Sequence, residues 1–288
     1  MTIIARSTEP VLQRPATLTE ALALSGPGSV WWAGGTDLWL MIDRKGLRPE
    51  ALIDLTHIAE LRAIQTTGAE TTLGAALTLA ELEASPLPAV ADTVRSMCTV
   101  QTRTLATLGG NLCHAAPSAD LAPVLLALGA EVSIAGPAGT RRIPLDGFFT
   151  GPGRTVLSAE EILTAVHVPT PQRQTAAYTR IARTVVDIAL VGAAASLTLD
   201  EECHVLDARV ALCAVAPVPL LVPGIAEALK GRAYDGLDFA GCAKMAEEAC
   251  APITDLRASA DYRRRMAGVL TRRALTTAAD HLRRMPCA

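Results

Sequence analysis

The stretch that decides the fold is AGGTDL at residues 33–38, which follows the apolar run VWW at residues 30–32. A second glycine pair stands in TLGGN at residues 107–111. A Gly-Gly step lets the backbone turn tightly and leaves successive N–H groups uncovered by a Cβ. Several N–H groups that point into one concavity form a nest for an anion such as a phosphate. The two motifs therefore predict two loops, each at the end of a strand-like run, that hold one pyrophosphate between them.

Polar side chains flank both glycine pairs where a phosphate would need hydrogen-bond donors. Thr36 and Thr107 supply hydroxyls, and Asn111 supplies an amide. A single Gly-Gly step after a strand is usually a plain turn, so the shared polar pattern is what favours a phosphate site. The sequence has neither G-x-x-x-x-G-K-S/T nor G-x-G-x-x-G at a helix start, so neither a P-loop nor a Rossmann site is supported. The pattern predicts a dinucleotide held in another way.

The two glycine motifs, together with APSADLAP at residues 116–123, resemble the flavoprotein (medium) subunit of molybdenum hydroxylases, the xanthine dehydrogenase and aldehyde oxidase superfamily. YTRIAR at 178–183 with DIAL at 187–190, and SADYRR at 259–264, are similar to the C-terminal half of that family. The resemblance therefore covers nearly the whole chain. It implies an α+β protein: a two-subdomain FAD-binding fold of the vanillyl-alcohol-oxidase (PCMH) type, then a smaller α+β C-terminal domain. The implied domains are residues 1–170, with subdomains of about 1–56 and 57–170, and residues 171–288.

The resemblance also implies a role. The chain would hold a noncovalent FAD between the two loops, as an oxidoreductase subunit that is not active alone. A large partner subunit would carry the molybdenum-pterin cofactor, and a small one two [2Fe-2S] clusters. The flavin would pass electrons from those clusters to NAD or another acceptor. The implied assembly is a dimer of heterotrimers.

By the same resemblance, residues of both loops contact the pyrophosphate, and no residue of the chain is catalytic or binds a metal. The implied loop contacts are Ala33, Gly34, Gly35, Thr36, Asp37, Thr107, Gly109, Gly110 and Asn111. Asp120 matches an acidic position that binds the adenosine ribose in relatives. A helix N-cap is the alternative role for this residue, because its position would satisfy one.

Three further residues are candidates for contact with the cofactor. Ile162 matches a backbone contact to the flavin ring. Arg180 falls where many relatives have a lysine beside the isoalloxazine, and its guanidinium keeps the positive charge. His114 lies four residues after Gly110 and could bond a phosphate or the flavin edge, but an ordinary loop histidine is an equal alternative. A stacking role for the tryptophans that precede the first loop is not expected, since strand residues before a turn usually belong to the core.

Two departures from relatives bear on the subtype. The chain lacks the cysteine-bearing insertion of benzoyl-CoA-reducing relatives, and it has Thr36-Asp37 where carbon-monoxide-oxidising relatives usually have His-Ser. This favours the branch that oxidises purines and other N-heterocycles. A carbon monoxide dehydrogenase-type flavoprotein subunit and a stand-alone FAD-dependent oxidase of the same fold stay open as alternatives.

Composition restricts the other function classes. Aromatic residues make up 3% of the 288 residues and the net charge is −3, which argues against nucleic-acid binding. The seven cysteines include no C-x-x-C pair, so they predict reduced thiols in a cytoplasmic protein and no zinc or iron–sulfur site. The N-terminus lacks the apolar core of a signal peptide, and no apolar run is long enough for a membrane span.

Local signals place helices and strands around the loops. The tetrapeptides TLTE at 17–20 and TLAE at 78–81 are capping boxes that open short helices. Further helices are predicted at 89–97 and 120–128, and a linker at 169–172. The predicted strands are residues 30–33, 51–55, 131–134, 162–168, 196–199 and 208–212. Two helices should follow, the last with an apolar stripe at four-residue steps: Met266, Leu270, Ala274, Ala278 and Leu282.

Overall fold

The computed structural model describes residues 9–234 and 236–284. Its first unit consists of β1 (Val11–Gln13), α1 (Leu18–Leu24), β2 (Ser29–Trp32), α2 (Leu38–Arg44) and β3 (Ala51–Asp54). The strands form a parallel sheet in the order β1-β3-β2. Thr17 caps α1, as predicted, by accepting the N–H of Glu20. Because β2 ends at Trp32, the first glycine loop leaves the carboxyl end of a parallel strand and runs directly into α2.

A five-stranded antiparallel sheet follows. The strands of this region are β4 (Ile64–Thr67), β5 (Glu70–Gly74), β6 (Glu131–Gly136), β7 (Gly139–Pro144), β8 (Phe149–Gly151), β9 (Arg154–Thr155) and β10 (Ile162–Pro169). The order in the sheet is β4-β5-β10-β6-β7, and β8 pairs with β9 separately. The predicted strands at 131–134 and 162–168 are confirmed. β4 and β7 escaped prediction because they lie at the sheet edges and are exposed along nearly their whole length, so they show no apolar alternation.

Five helices connect β5 to β6: α3 (Leu79–Leu82), α4 (Pro88–Arg95), α5 (Val100–Arg103), α6 (Leu108–His114) and α7 (Leu121–Ala127). Thr78 opens α3 with a complete capping box. All seven residues of α7 are buried. The prediction that the second glycine pair ends a strand-like run is wrong. Thr99 caps α5, and Thr107 caps α6. The second glycine pair, Gly109-Gly110, therefore lies in the first turn of helix α6.

The C-terminal part packs a four-stranded antiparallel sheet against helices on both faces. Its elements are β11 (Gln174–Ile181), β12 (Val191–Leu199), β13 (Val205–Cys213), β14 (Leu220–Leu221), α8 (Ile225–Leu229), α9 (Ala240–Ala249) and α10 (Ala260–Leu282). Every residue of β12 is buried. Ala194 packs into the core with α7, whereas Ala193 and Ala195 pack into the core with α10. Small side chains thus let helices approach both faces of the central strand.

The predicted strands at 196–199 and 208–212 are confirmed as parts of β12 and β13, which pair with each other and are both longer than predicted. Among the described residues three helices follow rather than two, since the short α8 precedes α9. The stripe of α10 is buried as predicted at Leu270, Ala274, Ala278 and Leu282. The chain therefore has the predicted α+β fold, whereas the domain limits at residues 56 and 170 stay predictions.

The cysteines match their prediction only in part. Cys203 is disulfide-bonded, so the prediction of reduced thiols throughout is wrong at this residue. The free thiols of the described chain are Cys98, Cys113, Cys213, Cys242 and Cys250. Burial raises the pKa of Cys113 to about 12, which makes this thiol unreactive near neutral pH.

Candidate functional site

A cavity of about 570 Å³ lies between the two glycine loops. Its size is that of a pocket for a small molecule or cofactor. Eleven of the thirteen predicted site residues line it. These are Ala33, Gly34, Gly35, Thr36, Asp37, Thr107, Gly109, Gly110, Asn111, His114 and Ile162. The sequence motifs, more than 70 residues apart, thus meet at one concave site.

The first loop presents a run of unpaired main-chain donors. Within the described chain, none of the N–H groups of residues 34–38 donates a hydrogen bond to a main-chain carbonyl. All five of these residues line the cavity. The helical hydrogen bonds begin one residue later, with the N–H of Trp39 donating to the carbonyl of Gly35. Buried or half-buried N–H groups without acceptors are costly, so this run is suited to an anionic ligand.

The glycines of the first loop are needed for close packing. A Cβ at Gly34 would overlap the carbonyl oxygen of Leu105, just before the second loop. A Cβ at Gly35 would overlap the indole ring of Trp32, and its φ of +71° is in the left-handed region that favours glycine. Gly34 therefore allows the two loops to touch, and Gly35 allows the chain to turn over the end of β2.

The two glycines of the second loop have different surroundings. The N–H of Gly109 donates to the carbonyl of Ala75 at 2.7 Å, and a Cβ here would press on Ala75. Gly110 is exposed, and a Cβ here would meet only the Thr107 hydroxyl within 4 Å. Gly109 therefore fastens α6 to the end of β5, whereas Gly110 leaves the cavity wall free of a side chain.

The side chain of Asn111 adds a second sign of a missing ligand. Its Oδ1 atom is buried without a hydrogen-bond partner among the described residues. A buried amide oxygen without a partner costs free energy, so this atom suits a hydroxyl or N–H of a bound molecule. Unpaired donors on one loop and an unpaired acceptor on the other fit a ligand with phosphates and sugar-like hydroxyls.

His114 and Asp37 connect the two loops across the cavity. His114 is the last residue of α6, and its Nε2 lies 3.7 Å from Oδ1 of Asp37 in the first loop. Both side chains are partly exposed, at 35% and 53%. The pair is therefore accessible to a ligand placed between the loops.

Asp120 and Arg180 do not line the cavity; they form a buried cluster with Tyr178. The Tyr178 hydroxyl donates to Oδ1 of Asp120 at 2.6 Å, and Nη1 of Arg180 lies 3.3 Å from the same oxygen. Asp120 stands at the start of α7, but its side chain makes no capping bond. Burial raises the pKa of Asp120, against the opposing effect of the Tyr178 hydroxyl and the Arg180 guanidinium. The predicted contacts of Asp120 and Arg180 with a cofactor stay predictions.

Several cavity residues were missed by sequence reasoning. Leu38 and Met41, one turn apart on α2, form part of an apolar wall, and Trp31 lines the cavity while its Nε1 donates to the carbonyl of Ala159. The i,i+3 spacing after the first glycine loop could have signalled the α2 wall. Cys98 and Glu161 also line the cavity, and neither lies near a recognisable motif. Arg141 holds the pKa of Glu161 below its usual range, so this carboxylate is ionised and paired.

Comparison with known proteins identifies the class. A family model described as the FAD binding domain in molybdopterin dehydrogenase matches residues 6–171. A second, described as the CO dehydrogenase flavoprotein C-terminal domain, matches residues 176–278. Together with the fold and the cavity, these matches define an FAD-binding oxidoreductase subunit. The chain belongs to the FAD-binding medium subunits of the molybdopterin dehydrogenases, which confirms the family resemblance seen in the sequence.

The relatives cover this chain almost from end to end. It is 34% identical to the carbon monoxide dehydrogenase medium chain of Hydrogenophaga pseudoflava, over 92% of this chain and 95% of that protein. It is 30% identical to the xanthine dehydrogenase FAD-binding subunit of Escherichia coli O157:H7, over 92% and 94%. Carbon monoxide dehydrogenase from Hydrogenophaga pseudoflava superimposes with a TM-score of 0.89 at 32% identity, covering 97% of this chain and 99% of that chain. Quinoline 2-oxidoreductase from Pseudomonas putida 86 gives 0.87 at 29%, covering 95% and 98%.

Two other kinds of feature are absent from the described residues. Across residues 9–234 and 236–284, no group of three or more His, Cys, Asp or Glu residues is placed to hold a metal ion. In the same part of the chain, no helix combines the length and the apolar character that crossing a membrane requires. The cavity between the glycine loops is thus the main candidate for the chemistry of the described residues.

Proposed function

We propose that this subunit binds one FAD in the cavity, with the pyrophosphate on the N–H run of the first glycine loop. The observation that carries the proposal is the set of five consecutive N–H groups, residues 34–38, without main-chain acceptors in the described chain. An anion at this loop would give them acceptors, as nests do for phosphates elsewhere. The family to which the chain belongs supports FAD as the particular dinucleotide.

Different cavity residues are proposed to contact different parts of the cofactor. The exposed Gly110 leaves room for a phosphate beside α6, and the unpaired Oδ1 of Asn111 accepts from a hydroxyl of the ligand. Leu38, Met41 and Ile162, which all line the cavity, would give apolar surface to the ring system. When bound, FAD would accept and release electrons singly or in pairs, and the protein would hold it and exclude water from it.

The electrons would come from another chain. His114 and Asp37, the partly exposed acid–base pair of the cavity, lie at the loop proposed to hold the phosphates, and Glu161, half-buried in the wall, is paired with Arg141. Among the described residues that line the cavity, no other acid–base pair is placed for a substrate. We infer that a small partner subunit with two [2Fe-2S] clusters delivers electrons, and that NAD or another acceptor removes them. The molybdenum-pterin cofactor would stand on a large subunit that selects the organic substrate, a purine or other N-heterocycle, in a dimer of heterotrimers in the cytoplasm.

The test compares this chain with its complex under anaerobic conditions. The chain is purified with its co-expressed genomic neighbours and also alone, and acid-released flavin is identified by chromatography. Flavin absorbance is then followed by stopped flow after mixing with xanthine, quinoline or carbon monoxide. We expect FAD in the complex and flavin bleaching only when molybdenum and iron co-purify, because the substrate is proposed to be oxidised on the large subunit.

Three outcomes would each contradict a part of the proposal. Absence of flavin after reconstitution, or release of FMN alone, would show that the cavity holds another ligand. Bleaching of the flavin in the chain alone would identify a stand-alone oxidase and remove the need for a relay. A chain that never co-elutes with molybdenum and iron would refute the assembly while leaving the FAD site intact.

A further inference from the structure

The described residues that line the cavity include no permanently charged cation, although the site would hold a diphosphate. Among the described residues that line it, the ionisable groups are Asp37, Cys98, Cys113, His114 and Glu161, with no lysine or arginine. The diphosphate of FAD carries two negative charges. The main-chain N–H groups of the first loop supply dipoles but no net charge. His114 is therefore the one cavity-lining side chain of the described residues that can become a cation near neutral pH.

The position of His114 suits a cation. It ends α6, where the carbonyl ends of the helical peptides make the potential negative. Its Nε2 lies 3.7 Å from the Asp37 carboxylate, which attracts an imidazolium at that distance. A diphosphate held on residues 34–38 would lie on the same side, since Asp37 belongs to that run. The imidazole would then have carboxylate and phosphate oxygens near it.

The charged groups on the elements packed around α6 do not replace this cation. Asp120 at the start of α7 is neutralised by Arg180, and Glu161 beside β10 is paired with Arg141. Arg154 lies on β9, whose turn donates the Gly153 N–H to the carbonyl at residue 115, but its side chain does not line the cavity. Arg103, close to the cavity-lining Cys98, is paired with Glu83 and does not line the cavity. Because these groups are paired or lie outside the lining, Asp37 and the two phosphates would leave the site negative unless His114 is protonated.

We propose that His114 holds the diphosphate of FAD as an imidazolium, so that FAD binding takes up a proton at this residue. The inference rests on the proposed FAD site and adds the charge state of one residue. A ligand that prefers the protonated form binds best where that form is populated and loses affinity as the pH rises. The FAD dissociation constant should therefore increase about tenfold from about pH 6 to about pH 8.5.

The experiment titrates FAD into the deflavinated protein, as the full chain in its co-purified complex, and follows quenching of FAD fluorescence across this pH range. His114→Gln should bind FAD about tenfold more weakly than wild type at the acidic end and show no pH dependence. His114→Lys should bind tightly at both ends, because its charge does not depend on pH in this range. Calorimetric titration in two buffers of different ionisation enthalpy should detect proton uptake in wild type and none in His114→Gln.

A matched control is the exposed His57, whose Nε2 lies 4.0 Å from Oδ2 of the buried Asp54; neither residue lines the cavity. His57→Gln should keep the wild-type pH profile. A flat profile in wild type, or the same slope in His114→Gln, would overturn the inference and leave the FAD site standing. Failure of wild type to bind FAD at any pH would instead refute the proposed function, so the two failures are distinguishable.

Discussion

Gly110→Val is expected to weaken FAD binding by about 100-fold, which corresponds to ~2.7 kcal/mol, while the fold stays intact. Gly110 is exposed at the cavity wall, and the one atom within 4 Å of a Cβ there is the Thr107 hydroxyl at 2.9 Å, which accepts the Gly110 N–H as the cap of α6. A valine would therefore occupy the space in which the phosphate is proposed to lie. It would displace the Thr107 cap, at a cost of about 1 kcal/mol in stability, without entering the packed core. FAD affinity is measured by fluorescence titration, and the free energy of unfolding by urea denaturation.

Two other glycines provide comparison variants for this prediction. Gly241 lies in the first turn of α9, away from the cavity, and a Cβ there would meet nothing within 4 Å. Gly241→Val should therefore leave both FAD affinity and stability near wild type. Gly34→Val should reduce both, because its Cβ would overlap the carbonyl of Leu105 and push the loops apart. Wild-type FAD affinity in Gly110→Val would place the phosphates elsewhere.

The contrast between the glycines shows what the sequence could and could not reveal. The two Gly-Gly motifs predicted that separate segments meet at one site, and the structure brings them together. Their spacing could not tell which glycines serve packing and which faces the ligand. Which glycine serves packing depends on tertiary contacts: Gly34 packs against Leu105, and Gly109 packs against Ala75. No local sequence pattern predicts either contact.

Asp120 and Arg180 illustrate a second limit. Each was identified from a motif, one before a buried helix and one in a strand of the C-terminal sheet. The structure pairs them with each other and with Tyr178, a contact between residues about 60 positions apart in the chain. Long-range partners of this kind are set by how the sheets pack, so residue type and local spacing do not predict them.

The secondary structure was predictable where apolar periodicity was strong. β10, β12, β13 and α10 bury continuous or alternating apolar residues, and their positions were recovered. α5 and α6 are short, and the Gly-Gly step of α6 is typical of a turn, so this segment was taken for a loop after a strand. Tertiary contacts, including the N–H of Gly109 on the carbonyl of Ala75, hold the glycines in a helical turn.

Arg263→Met is expected to lower the free energy of unfolding by roughly 1–3 kcal/mol, the cost of leaving buried carbonyls without a hydrogen-bond donor. Arg263 is 4% exposed although it is an arginine in a basic run. Its Nη1 donates to the carbonyl of Leu190 at 2.6 Å and to that of Ala214 at 3.3 Å, and its Nη2 lies 2.8 Å from Oδ1 of Asp255. Methionine fills a similar volume but leaves two carbonyls and the carboxylate without this donor.

The neighbouring arginine provides the control. Arg264 is half-exposed, and its Nη1 lies 3.4 Å from Oδ1 of the exposed Asp261, so Arg264→Met should change stability by less than about 0.5 kcal/mol. Urea denaturation of both variants measures the difference, and equal losses would show that Arg263 does not fasten the C-terminal sheet.

Arg263 also supports the region beside the cavity. The N–H of Ala214 donates to the carbonyl of Pro117, three residues before Asp120, so Arg263 supports the strand end on which the start of α7 rests.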